Sequence, residues 1–184
     1  MVTTRLLTAE DLEAMGSEAE KRFELVDGAL REVEGVDGRH GNIEFNLGVE
    51  LGIYNRERRA GRFFTSDTRF AIARNPDTVL MPDLAFIRAD RIPATGVWEG
   101  IVPIVPDLVV EIASPNDTGE AVRRKAARYL DAGVGVVWIV WPRRRAVTVL
   151  RAGEPDLLLS ANDVLDGGDV LPGFRLPVAA IFAE

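Results

Sequence analysis

The chain has 184 residues, 47% of them hydrophobic, which is enough for one domain with a sizeable core, and its net charge of -7 argues against a broad nucleic-acid surface. It has no cysteine and one histidine, which excludes disulfides, thiolate metal sites and multi-histidine zinc sites within one chain. Any metal is therefore expected to be hard and oxygen-liganded, Mg²⁺ or Mn²⁺.

Residues 1–20 are expected to hold one short helix, capped by Thr8 and carrying Leu12 and Met15 as apolar positions. RFELVDGALREVE then reads as an N-terminal β-hairpin, because Asp27-Gly28 is a two-residue turn signal between extended runs. Glu24 alternates with Phe23 and Leu25 and is expected to be an exposed strand residue. A helix is predicted from about His40 to Arg59, with Ile43, Leu47, Leu51 and Tyr54 as its buried stripe. Glu50 and His40 fall inside that apolar arc. Glu50 is thus a candidate buried acid, and His40 reads as a capping or structural residue.

Residues 62–73 and 78–87 are predicted as two strands around the turn cluster Asn75-Pro76-Asp77. Pro82 within the second one predicts a bulge or register break beside Asp83. LVVEIA at 108–113 is a strand buried on both faces, with Glu111 in its middle. A lone buried carboxylate needs a cation, a metal or a raised pKa. After the Ser114-Pro115-Asn116-Asp117 turn, a helix is predicted from about Gly119 to Ala132. It carries Val122, Ala126, Tyr129 and Leu130 inward and Lys125 at the edge of that stripe. VGVVWIVW is another core strand, AVTVLRA an outer antiparallel one, and the tail is expected to end in an apolar plug at Ile181 and Phe182. That plug and the outer hairpin are a candidate dimer interface.

Two of the 22 basic residues are lysines, Lys21 and Lys125. Lys125 lies among Arg123, Arg124 and Arg128, which suggests that a compact point charge is wanted there. The arginine clusters at 56–62, 123–128 and 143–145 read first as solvated faces; Arg123, Arg124 and Arg128 are the candidate nucleic-acid contacts. Asp107 and Glu111 share a strand, and four residues at about 3.3 Å each separate them by roughly 13 Å, too far to share one ion. Asp83 lies on another strand and can meet Glu111 if the two strands pair. Asp83, Glu111 and Lys125 together would suit metal-assisted phosphodiester hydrolysis. A buried Glu111–Lys125 ion pair with only a structural role is the competing explanation.

At FELVDG, the helix opening at His40, MPDLAFI, LVVEIASPND, RRKAARYLDAGV, VVWIVWP and LPGFRLP the chain resembles the Uma-type endonuclease family. That family belongs to the PD-(D/E)xK restriction-endonuclease-like superfamily. The pieces run in family order from about residue 8 to 182. The resemblance implies a mixed α/β (α+β) fold, a single restriction-endonuclease-like domain over 1–184, with a central mixed β-sheet flanked by helices. It implies a metal site with Asp83 as the superfamily aspartate, Glu111 as the second acid and the Ile112 backbone carbonyl completing the shell. The superfamily lysine normally follows two residues after that acid, where this chain has Ala113; the resemblance places the amine at Lys125. Glu50, or Glu44 as the weaker choice, would be the first-helix acid, and Glu24 looks like a family feature of open role. The expected function is Mg²⁺- or Mn²⁺-dependent cleavage of DNA by a cytoplasmic protein without membrane contact, with a homodimer as one form. The alternative is a catalytically silent module that binds nucleic acid or a protein.

Overall fold

A computed structural model describes residues 5–15, 22–33, 35–96 and 98–184. Lys21 lies outside the described residues, as do residues 1–4 and 16–20 of the expected N-terminal helical segment. Helix α1 spans Ala9–Ala14, where Thr8 and Asp11 form a reciprocal capping box. The hairpin follows as β1 (Arg22–Val26) and β2 (Ala29–Val33). Asp27 and Gly28 both have positive φ, 51° and 76°, so the turn matches the twist of the strands it joins.

Helix α2 (Gly38–Arg58) is capped by the Asp37 side chain, and buries His40, Ile43, Leu47 and Leu51 along one face. The next segments differ from the two long strands expected. Residues 62–73 divide into β3 (Gly61–Thr65) and β4 (Phe70–Ala73), and residues 78–87 into β5 (Thr78–Leu80) and β6 (Leu84–Arg88). Each half joins a different sheet: β2-β1-β5-β4 is one, while β3 and β6 belong to a six-stranded sheet. Met81-Pro82-Asp83 is the crossing point, where Pro82 has no N–H to offer either ladder. The expected break beside Asp83 is therefore a change of sheet.

The six-stranded sheet continues through β7 (Leu108–Ile112), β8 (Val136–Trp141), β9 (Ala146–Leu150) and β10 (Leu157–Leu159), in the order β10-β9-β8-β7-β6-β3. β7 and β8 are parallel and joined by helix α3 (Gly119–Asp131); the other pairs are antiparallel. β9 is fully buried between β8 and β10, so the strand expected at the outside is interior and β10 forms that edge. The hairpin of β11 (Val164–Asp166) and β12 (Arg175–Pro177) leads into helix α4 (Val178–Ile181).

Alternation on the strands divides the core. Leu84, Phe86, Leu108, Val110 and Ile112 pack with α2 and the C-terminal segment; Ala85, Ile87, Val109 and Ile139 pack with Val122, Ala126 and Tyr129 of α3. Burying each of Leu47 and Leu51 stabilises by about 1.5–3 kcal/mol, which holds α2 against the sheet. Ile181 and Phe182 are buried in the first of these cores, so the apolar plug is used within its own chain. The exposed apolar side chains lie elsewhere, among them Phe45, Val49 and Ile53 on α2. No helix among the described residues is long and apolar enough to cross a membrane.

Candidate active site

The sheet change at Pro82 sets the geometry of the site. Leu84 pairs with Val110 in the antiparallel register of β6 and β7, and one further step puts Asp83 opposite Glu111. Asp83 Oδ2 accepts the Ile112 N–H at 2.6 Å, and Oδ1 accepts from His40 Nε2 at 3.0 Å. His40 thus has two roles. Its backbone N–H is capped by Asp37 at 2.9 Å, and its side chain, 3% exposed, orients the aspartate. Burial works against charge on His40, but the bond to Asp83 and the negative charge of Asp83, Glu44 and Asp37 outweigh it and raise its pKa.

Glu111 faces α3. Its Oε1 accepts from Tyr129 OH at 2.9 Å and lies 3.0 Å from Lys125 Nζ. Lys125 also pairs with Glu24 Oε1 at 2.9 Å and donates to the Met81 carbonyl at 3.3 Å. Glu24 Oε1 in turn accepts the Met81 N–H at 2.9 Å. The expectation that Glu24 is exposed is overturned: it is 8% exposed, because β1 is interior to its sheet and next to β5, whose end delivers Met81. One ammonium thus serves two carboxylates, with Asp83 near enough to add its field. Burial, partly offset by Lys125 and reinforced by Asp83 and Glu24, pushes the Glu111 carboxyl up to about 8. Burial also opposes the charge on Lys125, but Glu111 and Glu24 outweigh it and raise its pKa. The Tyr129 phenol is raised too, by burial and by Glu111. Lys125 is thus held charged by Glu111 and Glu24, while burial biases Glu111 toward its protonated form.

Asp107 holds the start of β7: it accepts the Arg88 N–H at 2.9 Å and pairs with Arg91 at 2.8 Å. Ten helical residues, about 15 Å of rise, separate Glu50 from His40. Glu50 is half-buried, and the α2 acid within reach of Asp83 is Glu44. Arg123, Arg124 and Arg128 are paired with Asp156, Glu120 and Asp27 respectively. Sequence reasoning put Tyr129 only in the apolar stripe; the available signal was its spacing of one helical turn from Lys125 and the need of a buried phenol for a partner.

The donors, two carboxylates and an imidazole, suit a divalent ion. His40, Glu44 and Asp83 each offer an atom within 4.8 Å of the others, and Glu111 lies across the strand register from Asp83. Among the described residues, the buried Nδ1 of His40 has no hydrogen-bond partner. A cavity of about 720 Å³ lies elsewhere: Arg62, Phe64 and Trp98 line it, and none of Asp83, Glu111 and Lys125 does.

Residues 9–179 match a family described as "Uma2: Putative restriction endonuclease". The chain belongs to this family. The fold agrees: the chain is similar to the crystal structure of "a putative nuclease belonging to DUF820 from Anabaena variabilis ATCC 29413". That likeness has a TM-score of 0.83 at 21% identity, over 96% of this chain and 97% of the other. No curated protein matches. The Uma2 family and the nuclease-like architecture expected from the sequence are thus both present, with Asp83, Glu111 and Lys125 at one end of the β6–β7 pair.

Proposed function

We propose that this Uma2 protein is a Mg²⁺- or Mn²⁺-dependent endonuclease acting on DNA. The observation that carries the reading is that Glu111 of β7 pairs with Lys125 of α3 and lies across the register from Asp83, whose carboxylate accepts the Ile112 N–H. Asp83 and Glu111, with the Ile112 carbonyl, would hold the ion, and Glu44 and His40 stand beside Asp83. When bound, the ion supplies Lewis acidity toward a phosphate oxygen and acidifies a water. Lys125 holds a positive charge where negative charge builds on the phosphoryl oxygens, and Glu24 and the Met81 carbonyl keep its ammonium in place. The Ile112 N–H and His40 fix both oxygens of Asp83, and Tyr129 fixes Oε1 of Glu111. The site sits in an otherwise apolar sheet, where such fixed charges act with little screening.

Cleavage of supercoiled and single-stranded DNA in Mg²⁺ tests the reading. Wild type should cleave and Glu111→Ala should fall to background; equal rates in the two would end the enzyme reading. One observation favours a second reading, a silent nuclease-fold module: both Asp83 oxygens and Glu111 Oε1 already have partners within the protein. Calorimetric titration with Mn²⁺ separates the two, because the silent module predicts no heat of binding at these acids.

A further inference from the structure

A second cavity, about 400 Å³, opens on the other side of His40. Its position follows from the one parallel pair in the large sheet. β7 and β8 run the same way, so both carboxyl ends empty into the same crevice, and crevices of this kind are where open α/β sheets take ligands. Ala113 and Ser114 leave β7 there, while Trp141, Pro142 and the arginines after it leave β8. The first residue of α3, Gly119, lines the same space, so the positive end of a 13-residue helix faces it.

Three arginines converge on this cavity: Arg39, Arg143 and Arg144. Among the described residues none of them forms an ion pair, in contrast to Arg123, Arg124 and Arg128 on the outer side of α3. Arg39 is in the first turn of α2, where the helix dipole disfavours a cation; that turn itself holds no acid, and the N-cap before it is Asp37. Arg144 lies over the Trp141 ring at 5.8 Å, and the Trp141 Nε1–H is fixed on Thr148 Oγ1 at 2.9 Å. The two lining acids are already engaged with backbone amides: Asp37 with His40 N–H at 2.9 Å and Asp117 with Ser114 N–H at 2.7 Å. His40 also lines the cavity and is 3% exposed.

We infer that this cavity is a phosphate-binding subsite, which seats a backbone phosphate of a nucleic-acid strand next to the bond at Asp83. Guanidinium groups supply bidentate donors to the phosphate, and the start of α3 supplies backbone N–H groups and dipole. His40 is the shared wall between this subsite and the acids. The net charge of -7 is compatible with such a site, because the binding surface is a small basic crevice and not a face. The inference rests on the nuclease reading for the identity of the strand, but not for the existence of the subsite.

Binding without cleavage tests it. A short labelled single-stranded oligonucleotide is titrated by fluorescence anisotropy in EDTA against wild type, Arg143→Ala/Arg144→Ala, Arg39→Ala and Arg123→Ala/Arg124→Ala. The crevice variants should bind roughly tenfold more weakly, and the slope of log K against log salt should shrink by about 0.7 for each phosphate no longer neutralised. The α3 pair should bind as wild type does. All of the substituted arginines are exposed, and a thermal melt confirms that each variant folds. Wild-type binding by the crevice variants, or an equal loss in the α3 pair, would overturn the inference. So would full competition by a free mononucleotide at concentrations matching the oligonucleotide, since that would make the cavity a small-molecule site. A protein that binds in this way yet never cleaves would sink the nuclease reading and leave the subsite standing.

Discussion

Replacing Glu111 by glutamine should change how the stability of the metal-free protein depends on pH. Glu111 is 7% exposed, and its folded-state carboxyl titrates at about 8 against an ordinary 4.5. Between those values the folded chain binds a proton that the unfolded chain has lost. Stability therefore falls as pH rises through this window, and the contribution of the protonated acid is complete only below about 4.5. One proton sets a ceiling of about 1.4 kcal/mol per pH unit, so the loss between pH ~5 and pH ~7 reaches at most about 3 kcal/mol. Glutamine keeps an acceptor for the Tyr129 hydroxyl and cannot ionise. The variant should gain on wild type steadily over that interval. His40 also has a raised pKa and also loses stability as pH rises, but it is common to both proteins and largely cancels in the difference. Urea denaturation across this range in EDTA measures the gap, the chelator being needed because an ion bound only to the native state would add its own stabilisation. Parallel profiles for the two proteins would refute the claim that Glu111 is held protonated by its surroundings.

Tyr129→Phe removes the hydroxyl that donates to Glu111 Oε1 at 2.9 Å and should cost about 1 kcal/mol in urea denaturation; an unchanged midpoint would take Tyr129 out of the network. His40→Ala frees Asp83 Oδ1 and should weaken Mn²⁺ binding by about tenfold or more in calorimetry, as loss of a ligand's orienting partner generally does. Unaltered affinity in a folded variant would reduce His40 to its role as a helix-start residue.

Much of this site was legible because it breaks local rules. An acid inside the apolar run LVVEIA and a lysine at the border of an inward stripe are each anomalous, and burial of Glu111 with Lys125 at 3.0 Å explains both. Asp83 was reachable by excluding Asp107 on strand rise alone. The division of 62–73 and 78–87 between two sheets was not legible, since an apolar run looks the same whichever ladder it joins. Glu24 was misread for that reason: its burial comes from β5 and α3, which are distant in sequence. His40 was assigned by its position at a helix start, which accounts for its backbone and not for its ring.

The location of the amine can be argued on geometry. Side chains two apart on a strand share a face, so position 113, where the superfamily lysine normally stands, looks the same way as Glu111. Ala113 indeed packs with the α3 side of the core. Lys125 reaches that face from above, on a helix that crosses from the end of β7 to the start of β8. The ammonium is thus delivered to the same side of the same acid by the next element in the chain. A lysine on a helix is anchored by whatever covers the sheet, which here is Glu24 of the hairpin, so the hairpin becomes part of the charge arrangement. A small residue at 113 also leaves the end of β7 open, where Ala113 lines the arginine crevice. Lys125 on α3 therefore meets Glu111 on the same face, while position 113 keeps a small side chain at the crevice of Arg39, Arg143 and Arg144.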